Sequence, residues 1–343
     1  MTFLQLFLFF LAGLLLLACA PNFNTSDNVT AVPQLADSMF ISFDGTELPL
    51  NTWLPPAQLK AVFIVLHGYN DYSAFFRNAA PYFNDREIGI YAYDQRGFGA
   101  EPTPGRWSGH ETMIRDLRTF IPLVQKRHPD VPLYLLGDSM GGAVLMSADT
   151  PDNPLPGDGV ILVAPAVWSR KTMPFYQRWA LSAAARLVPW LKVSPEGLDI
   201  TPSDNIEMLR ELGRDPLVLK ESRIDSLYGL TDLMDAAYEA SARFNKKALF
   251  LYGARDEIIP AKPMAHVFLK RLKGSFSEPQ RLLLYENGYH MLLRDLQAET
   301  VWQDIVCWLN SPAGAFPSVR EKAAREIRDE EEIATCLYPG VRD

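Results

Sequence analysis

Short, uninterrupted apolar runs punctuate the middle and the C-terminal third of this chain. Ala61–Leu66, Ile88–Tyr93, Val131–Leu136, Val160–Val163, Ala248–Tyr252 and Arg281–Tyr285 are built mostly from Val, Ile, Leu and Tyr. Runs of this length without polar alternation predict strands buried on both faces, and so a mostly parallel sheet covered by helices. Glu111–Lys126 has a different period. Met113, Ile114, Leu117, Phe120, Ile121 and Val124 fall on one side of a helix there. Upstream, Met39–Phe43 and Glu47–Trp53 flank Asp44-Gly45, a turn dipeptide that predicts a hairpin. Strands alternating with helices place the chain in the α/β class.

Residues 168–246 break that alternation. They are rich in helix formers and lie between two predicted strands, so they read as an inserted helical cap on a core formed by residues 38–167 and 247–315. Trp179, Ala183 and Leu187 share one helical face. Pro189 ends that helix, and Trp190 and Leu191 continue the apolar surface. Such a face either packs on the core or forms an acyl-chain tunnel or membrane-docking lid, which makes Trp179, Leu187 and Trp190 candidate substrate contacts.

The two ends differ from the body. Met1–Ala20 is almost wholly apolar and reads as a targeting segment, near the lower limit for a membrane span. Residues 20–37 are a polar tether, and 316–343 a charged tail with helical i,i+4 pairs such as Glu321/Arg325. With 343 residues, 48% of them hydrophobic and 22% charged, the chain is ordinary for a globular protein. Its net charge of −8 and lack of a basic stripe argue against nucleic acid as a partner. No zinc-type Cys/His spacing and no phosphate-binding glycine loop appears, so no metal and no cofactor is expected.

The chemistry gathers where strands end. Gly137-Asp138-Ser139-Met140-Gly141-Gly142 follows a predicted strand and opens a predicted helix. Strand, Gly-flanked serine and helix form the context of a nucleophile elbow, in which Gly137 and Gly141 supply room for a sharp, strained turn. Asp256 lies just beyond the Ala248–Tyr252 strand, beside Glu257 as a rival acid. His290 lies just beyond Arg281–Tyr285. Of the other histidines, His110, His128 and His266 fall on helices and read as structural. His67 opens a strand-end loop, His67-Gly68-Tyr69-Asn70. Asp138 reads as a neighbour of the nucleophile outside the triad, and Asp94 with Arg96 as an ion pair pinning the next turn.

The order hairpin, strand-His-Gly, strand-Asp-x-Arg-Gly-x-Gly, helix, strand-Gly-x-Ser-x-Gly-Gly resembles the α/β-hydrolase fold over roughly residues 39–312. Within that fold the chain is similar to the monoacylglycerol lipase and lysophospholipase branch. Arg214-Asp215-Pro216-Leu217-Val218 and Gly229-Leu230-Thr231-Asp232-Leu233-Met234 resemble the lysophospholipases in particular. The resemblance implies a Ser139, Asp256, His290 triad, an oxyanion hole from the backbone N–H groups of Tyr69 and Met140, and an amphiphilic acyl ester as substrate. A peptidase of the proline-aminopeptidase type, and a non-catalytic surface lipoprotein scaffold, are the alternatives.

The end of the apolar leader, Leu16-Leu17-Ala18-Cys19, resembles the lipobox of bacterial lipoproteins. That implies removal of residues 1–19, lipidation of Cys19, and anchoring in the cell envelope, at the outer membrane by the residues that follow. An ordinary cleaved signal and a single N-terminal membrane anchor stay open. With Cys19 lipidated, Cys307 and Cys336 could pair in an oxidising envelope or remain two free thiols.

Overall fold

The computed structural model describes residues 23, 25, 30–268, 280–312, 314 and 316. The leader, Cys19, part of the tether, Cys336 and all of the tail except Phe316 lie outside the described residues, and with them the question of a Cys307–Cys336 bridge. Among the described residues no helix is long and apolar enough to cross a membrane.

The chain opens with β1 (Gln34–Leu35), β2 (Met39–Ile41) and β3 (Glu47–Trp53), then β4 (Ala61–Leu66), α1 (Ala80–Asn84) and β5 (Ile88–Tyr93). It continues through α2 (His110–Arg127), β6 (Leu133–Asp138), α3 (Met140–Ala148) and β7 (Gly159–Val163). After β7 come α4 (Phe175–Leu187), β8 (Lys192–Val193), α5 (Ile206–Arg214), β9 (Ser222–Arg223) and α6 (Ile224–Ser241). The last elements are β10 (Ala248–Gly253), α7 (Ala261–His266), β11 (Gln280–Tyr285) and α8 (Ala298–Asn310). Nine strands form one sheet in the order β1-β2-β3-β5-β4-β6-β7-β10-β11. Every neighbouring pair from β5 to β11 is parallel, and β3 joins β5 antiparallel.

Because side chains alternate along a strand, the continuous apolar runs feed two cores at once. On β4, Val62, Ile64 and Leu66 enter a cluster with α2, α3 and α6. Ala61, Phe63 and Val65 enter the opposite cluster with α1 and α8. The hairpin forms as the Asp-Gly turn predicts, with Met39 opposite Pro49 and Gly45 at φ 83°.

One expectation changes. Arg96 does not pair with Asp94. Its guanidinium takes Asp116 bidentately, Nε to Oδ2 at 2.7 Å and Nη2 to Oδ1 at 2.8 Å, and reaches Asp44 at 2.7 Å. Asp94 instead accepts from Ser73 N and Ala100 N, both at 2.9 Å. Arg96 thus ties the hairpin turn to α2, while Asp94 ties the loop after β4 to the loop after β5. Each carboxylate takes the partner that is buried with it.

Within residues 168–246, the expected cap, the last helix is buried. Helix α6 packs along α3 and buries Leu233, Met234, Ala237 and Tyr238 in the main core. At Gly229 it passes so close to Trp107 that a Cβ would lie 2.2 Å from the indole. A helix buried this way is part of the layer covering the sheet, although it closes the 168–246 segment. Arg170 clamps the segment's first end to α6 through Asp232 at 2.6 Å and Asp235 at 2.7 Å.

Candidate active site

Ser139 sits between β6 and α3 with φ 48° and ψ −107°, a left-handed backbone that costs a non-glycine residue energy. The surrounding chain holds it there. Ser139 N donates to Val163 O at 2.8 Å, and Ala166 N donates to Ser139 O at 3.0 Å, so the elbow is strapped to β7. Gly137 and Gly141 are required by close approach. A Cβ on Gly137 would meet the Gly141 and Gly142 backbone at 2.5 Å, and one on Gly141 would lie 2.4 Å from Leu66 O. The bend therefore needs glycine at both flanking positions, as the motif predicts.

Strands β10 and β11 run parallel with Gly253 opposite Tyr285. That register brings the two loops beyond them together. Asp256, fully buried, accepts from Ile258 N at 2.8 Å and Ile259 N at 2.9 Å through Oδ1. Its Oδ2 takes His290 Nδ1 at 2.8 Å. With Nδ1 bearing the proton, the Nε2 lone pair of His290 is left to act as a base. Burial alone would push this imidazole down. The Asp256 carboxylate, by charge and by hydrogen bond, and Asp138 by charge, outweigh it and hold His290 above its ordinary value. Glu257, the rival acid, is exposed and accepts from Thr201 N in the cap at 2.6 Å.

His67 shapes the loop that faces the elbow. Its Nε2 accepts from Gln95 N at 2.9 Å, which leaves Nδ1 to donate to Gly68 O at 2.8 Å. Both ring nitrogens are thus committed in the neutral form, and burial pushes the ring's pKa down. A Cβ on Gly68 would stand 3.5 Å from the Ser139 Cβ, so the loop lies directly over the nucleophile. The next residue is Tyr69. Met140 N–H belongs to the first turn of α3, whose N–H groups have no partner within the helix. His110, His128 and His266 lie elsewhere, against Glu111, Tyr91 and Tyr238.

Trp179, Leu187 and Trp190, the candidate substrate contacts, lie on the cap segment. They are 76%, 56% and 60% exposed, and Phe175, Tyr176 and Leu198 of the same segment are exposed with them. The helical period identified an apolar face correctly but could not say what covers it, and nothing described does. The rest of the cap is fastened to the catalytic loops. Asn70 Nδ2 donates to Ser222 Oγ at 2.9 Å, Tyr72 Oη to Asp215 at 2.8 Å, and Ser203 Oγ to Asp295 at 2.6 Å. A buried ion pair between Arg294 and Asp71, 2.6 Å apart, joins the loop after β11 to the loop after β4. It went unread because its partners are far apart in sequence and no motif links them. Among the described residues no group of three or more His, Cys, Asp or Glu could hold a metal ion.

Rat monoglyceride lipase is 27% identical over 278 residues, 79% of this chain and 89% of the rat protein. Monoacylglycerol lipase from Mycolicibacterium smegmatis is 24% identical, over 80% of this chain and 97% of its own. In three dimensions, a soluble variant of monoglyceride lipase from Saccharomyces cerevisiae, solved with a substrate analog, superposes with a TM-score of 0.67. It covers 85% of this chain and 99% of the yeast protein at 20% identity, and so shares the α/β-hydrolase fold. The family described as serine aminopeptidase, S33 matches residues 57–297, which take in the elbow, the whole cap and the loops of Asp256 and His290, and the chain belongs to that family.

Proposed function

We propose that this enzyme hydrolyses the ester bond of single-chain acyl lipids of the monoacylglycerol or lysophospholipid type, through an acyl-enzyme on Ser139. The observation that carries the reading is the Asp256–His290 pair, fixed in one tautomer beyond the ends of adjacent strands, in a chain whose strained Ser139 elbow ends another strand of the same sheet. His290 Nε2 accepts the Ser139 proton as Oγ attacks the ester carbonyl. Asp256 holds the ring and stabilises the imidazolium. Tyr69 N–H and Met140 N–H stabilise the oxyanion, a single such donor being worth about 3 kcal/mol in the transition state. His290 then protonates the leaving glycerol oxygen, and water releases the fatty acid with His290 again as base.

The lipases among the relatives align along nearly their whole length, which supports a lipid ester over a peptide. The exposed apolar side chains of the cap support the same reading. Phe175, Trp179, Leu187 and Trp190 stand in solvent on one segment, as in a surface that rests on lipid while the centre beneath draws out one acyl chain. A lipidated Cys19 would hold the enzyme at the cell envelope, where such substrates lie.

A series of p-nitrophenyl esters tests the substrate. Turnover is expected to peak at medium or long acyl chains, and a maximum at acetate would overturn the lipid reading. Vesicle partitioning tests the cap. Replacing Trp179 and Trp190 together with Ser is expected to weaken partitioning onto lipid vesicles at least about tenfold, since two large apolar side chains are lost from the contact. Unchanged partitioning would remove the cap from the membrane interaction.

A further inference from the structure

Asp138 is a buried carboxylate that the triad does not use. It is the last residue of β6, opposite Val163, and its side chain is almost wholly buried. The other carboxylates around the centre are matched. Asp256 has two backbone N–H groups and His290, Asp94 has Ser73 and Ala100, and Asp71 has Arg294. Asp138 Oδ1 is buried with no hydrogen-bond partner among the described residues. Leaving such a group unmatched is costly. What surrounds it is the reaction. Its Oδ2 lies against the loop over the nucleophile, where a Cβ on Gly68 would come within 3.2 Å. The charged groups near enough to act on it through their fields are His290 and Arg294 from the loop after β11, Asp71 from the loop after β4 and Asp256 from the loop after β10.

We propose that Asp138 is a positioning residue acting through His290, a second carboxylate that stabilises the imidazolium formed when His290 takes the Ser139 proton. This rests on the triad reading above. In the resting enzyme the ionised carboxylate faces a neutral ring and gains little from it. When the ring becomes charged, the attraction appears in a site from which water is largely excluded, so it is stronger in the transition state than in the ground state. The other acidic neighbours cannot supply this increment. Asp71 is spent on Arg294, and Asp256 is already bonded to the ring.

Burial pushes Asp138 up to about 6, with His290 and Arg294 drawing it back down, and Asp138 in turn raises His290. Each group's charge therefore bears on the protonation of the other. Asp138→Asn keeps the shape and removes the charge. His290 then loses a neighbour that favoured its protonated form, so its pKa falls and the acid limb of kcat/KM moves to lower pH. The plateau falls as well, because the imidazolium in the transition state is less stabilised.

The full chain carrying Asp138→Asn, compared with wild type and with Ser139→Ala, tests the proposal by three readouts. On a soluble ester, kcat/KM at the plateau is expected to fall about tenfold, with the acid limb displaced toward lower pH. The His290 ring, titrated by NMR without substrate, is expected to show a lower pKa than in wild type. The Tm at pH 8 is expected to rise, since an unmatched buried charge has gone. An unchanged His290 titration would overturn the proposal, as would a plateau equal to wild type. A variant that fails to fold, or has a lower Tm, would overturn it too by showing that Asp138 serves the fold. Ser139→Ala retaining activity would instead bring down the triad itself, while the His290 titration would still report on Asp138.

Discussion

Ser139→Ala is expected to lose ester hydrolysis by roughly 10⁴-fold or more in kcat, with little change in stability. The alanine keeps the Cβ and the backbone bonds that strap the elbow to β7, from Ser139 N to Val163 O and from Ala166 N to Ser139 O. The strained φ of 48° is paid for in both proteins alike, so it cancels in the comparison. What disappears is the nucleophile, and with it the acyl-enzyme. The His290–Asp256 pair would then hold a base with nothing to deprotonate but water. The donors of the oxyanion hole remain, so the residual rate measures what they and substrate binding achieve alone. Steady-state kinetics on a p-nitrophenyl ester and a thermal melt check the result. Residual activity above about 1% of wild type in a normally folded variant would mean that Ser139 is not the nucleophile.

Arg96→Ala is expected to give the largest loss of stability, about 3–5 kcal/mol. The side chains of Arg96, Asp44 and Asp116 are 7%, 7% and 1% exposed, so none has water to fall back on. Arg96 satisfies both carboxylates at once, and without it two buried negative charges face each other. Burial raises Asp116 above the usual carboxylate range, and Arg96, by hydrogen bond and charge, draws it back down. In the variant that restraint is gone. Asp116 should then take up a proton at higher pH, and the variant should be relatively less unstable under mildly acidic conditions. Arg96→Lys should recover only part of the loss, because an ammonium cannot take Asp116 bidentately and reach Asp44 as well. Denaturant unfolding of the three proteins at two pH values is the check. A loss below about 1 kcal/mol in Arg96→Ala would show that the network contributes specificity of geometry rather than stability.

The core of the fold was legible because its signals are local. An uninterrupted apolar run needs no distant partner to declare itself a two-faced strand, and Asp44-Gly45 makes its turn from its own φ preferences. The candidate triad was legible for a related reason. In a parallel sheet, loops at the C-terminal ends of neighbouring strands meet, so a serine, an acid and a histidine placed just after strands are brought toward one another by topology. The register of Gly253 with Tyr285 then places Asp256 at His290. The choice of Asp256 over Glu257 came from the family resemblance.

Pairings between distant segments were not legible. Arg96 had Asp94 two residues away, yet it joined Asp116 and Asp44, because the loop after β5 turns its guanidinium toward α2 and the hairpin. The Asp71–Arg294 pair and the unmatched carboxyl of Asp138 likewise depend on which loops stack over the elbow. Helical periodicity in residues 168–246 announced helices and apolar faces but not their cover. The same pattern buries α6 against α3 and leaves Trp179 in solvent. The sequence by itself determined the strands, the turn chemistry and the elbow, since each is set by backbone preference and position along a strand. Only the tertiary structure decided which charges share a buried pocket and which apolar face remains open, because both depend on what the fold packs against them.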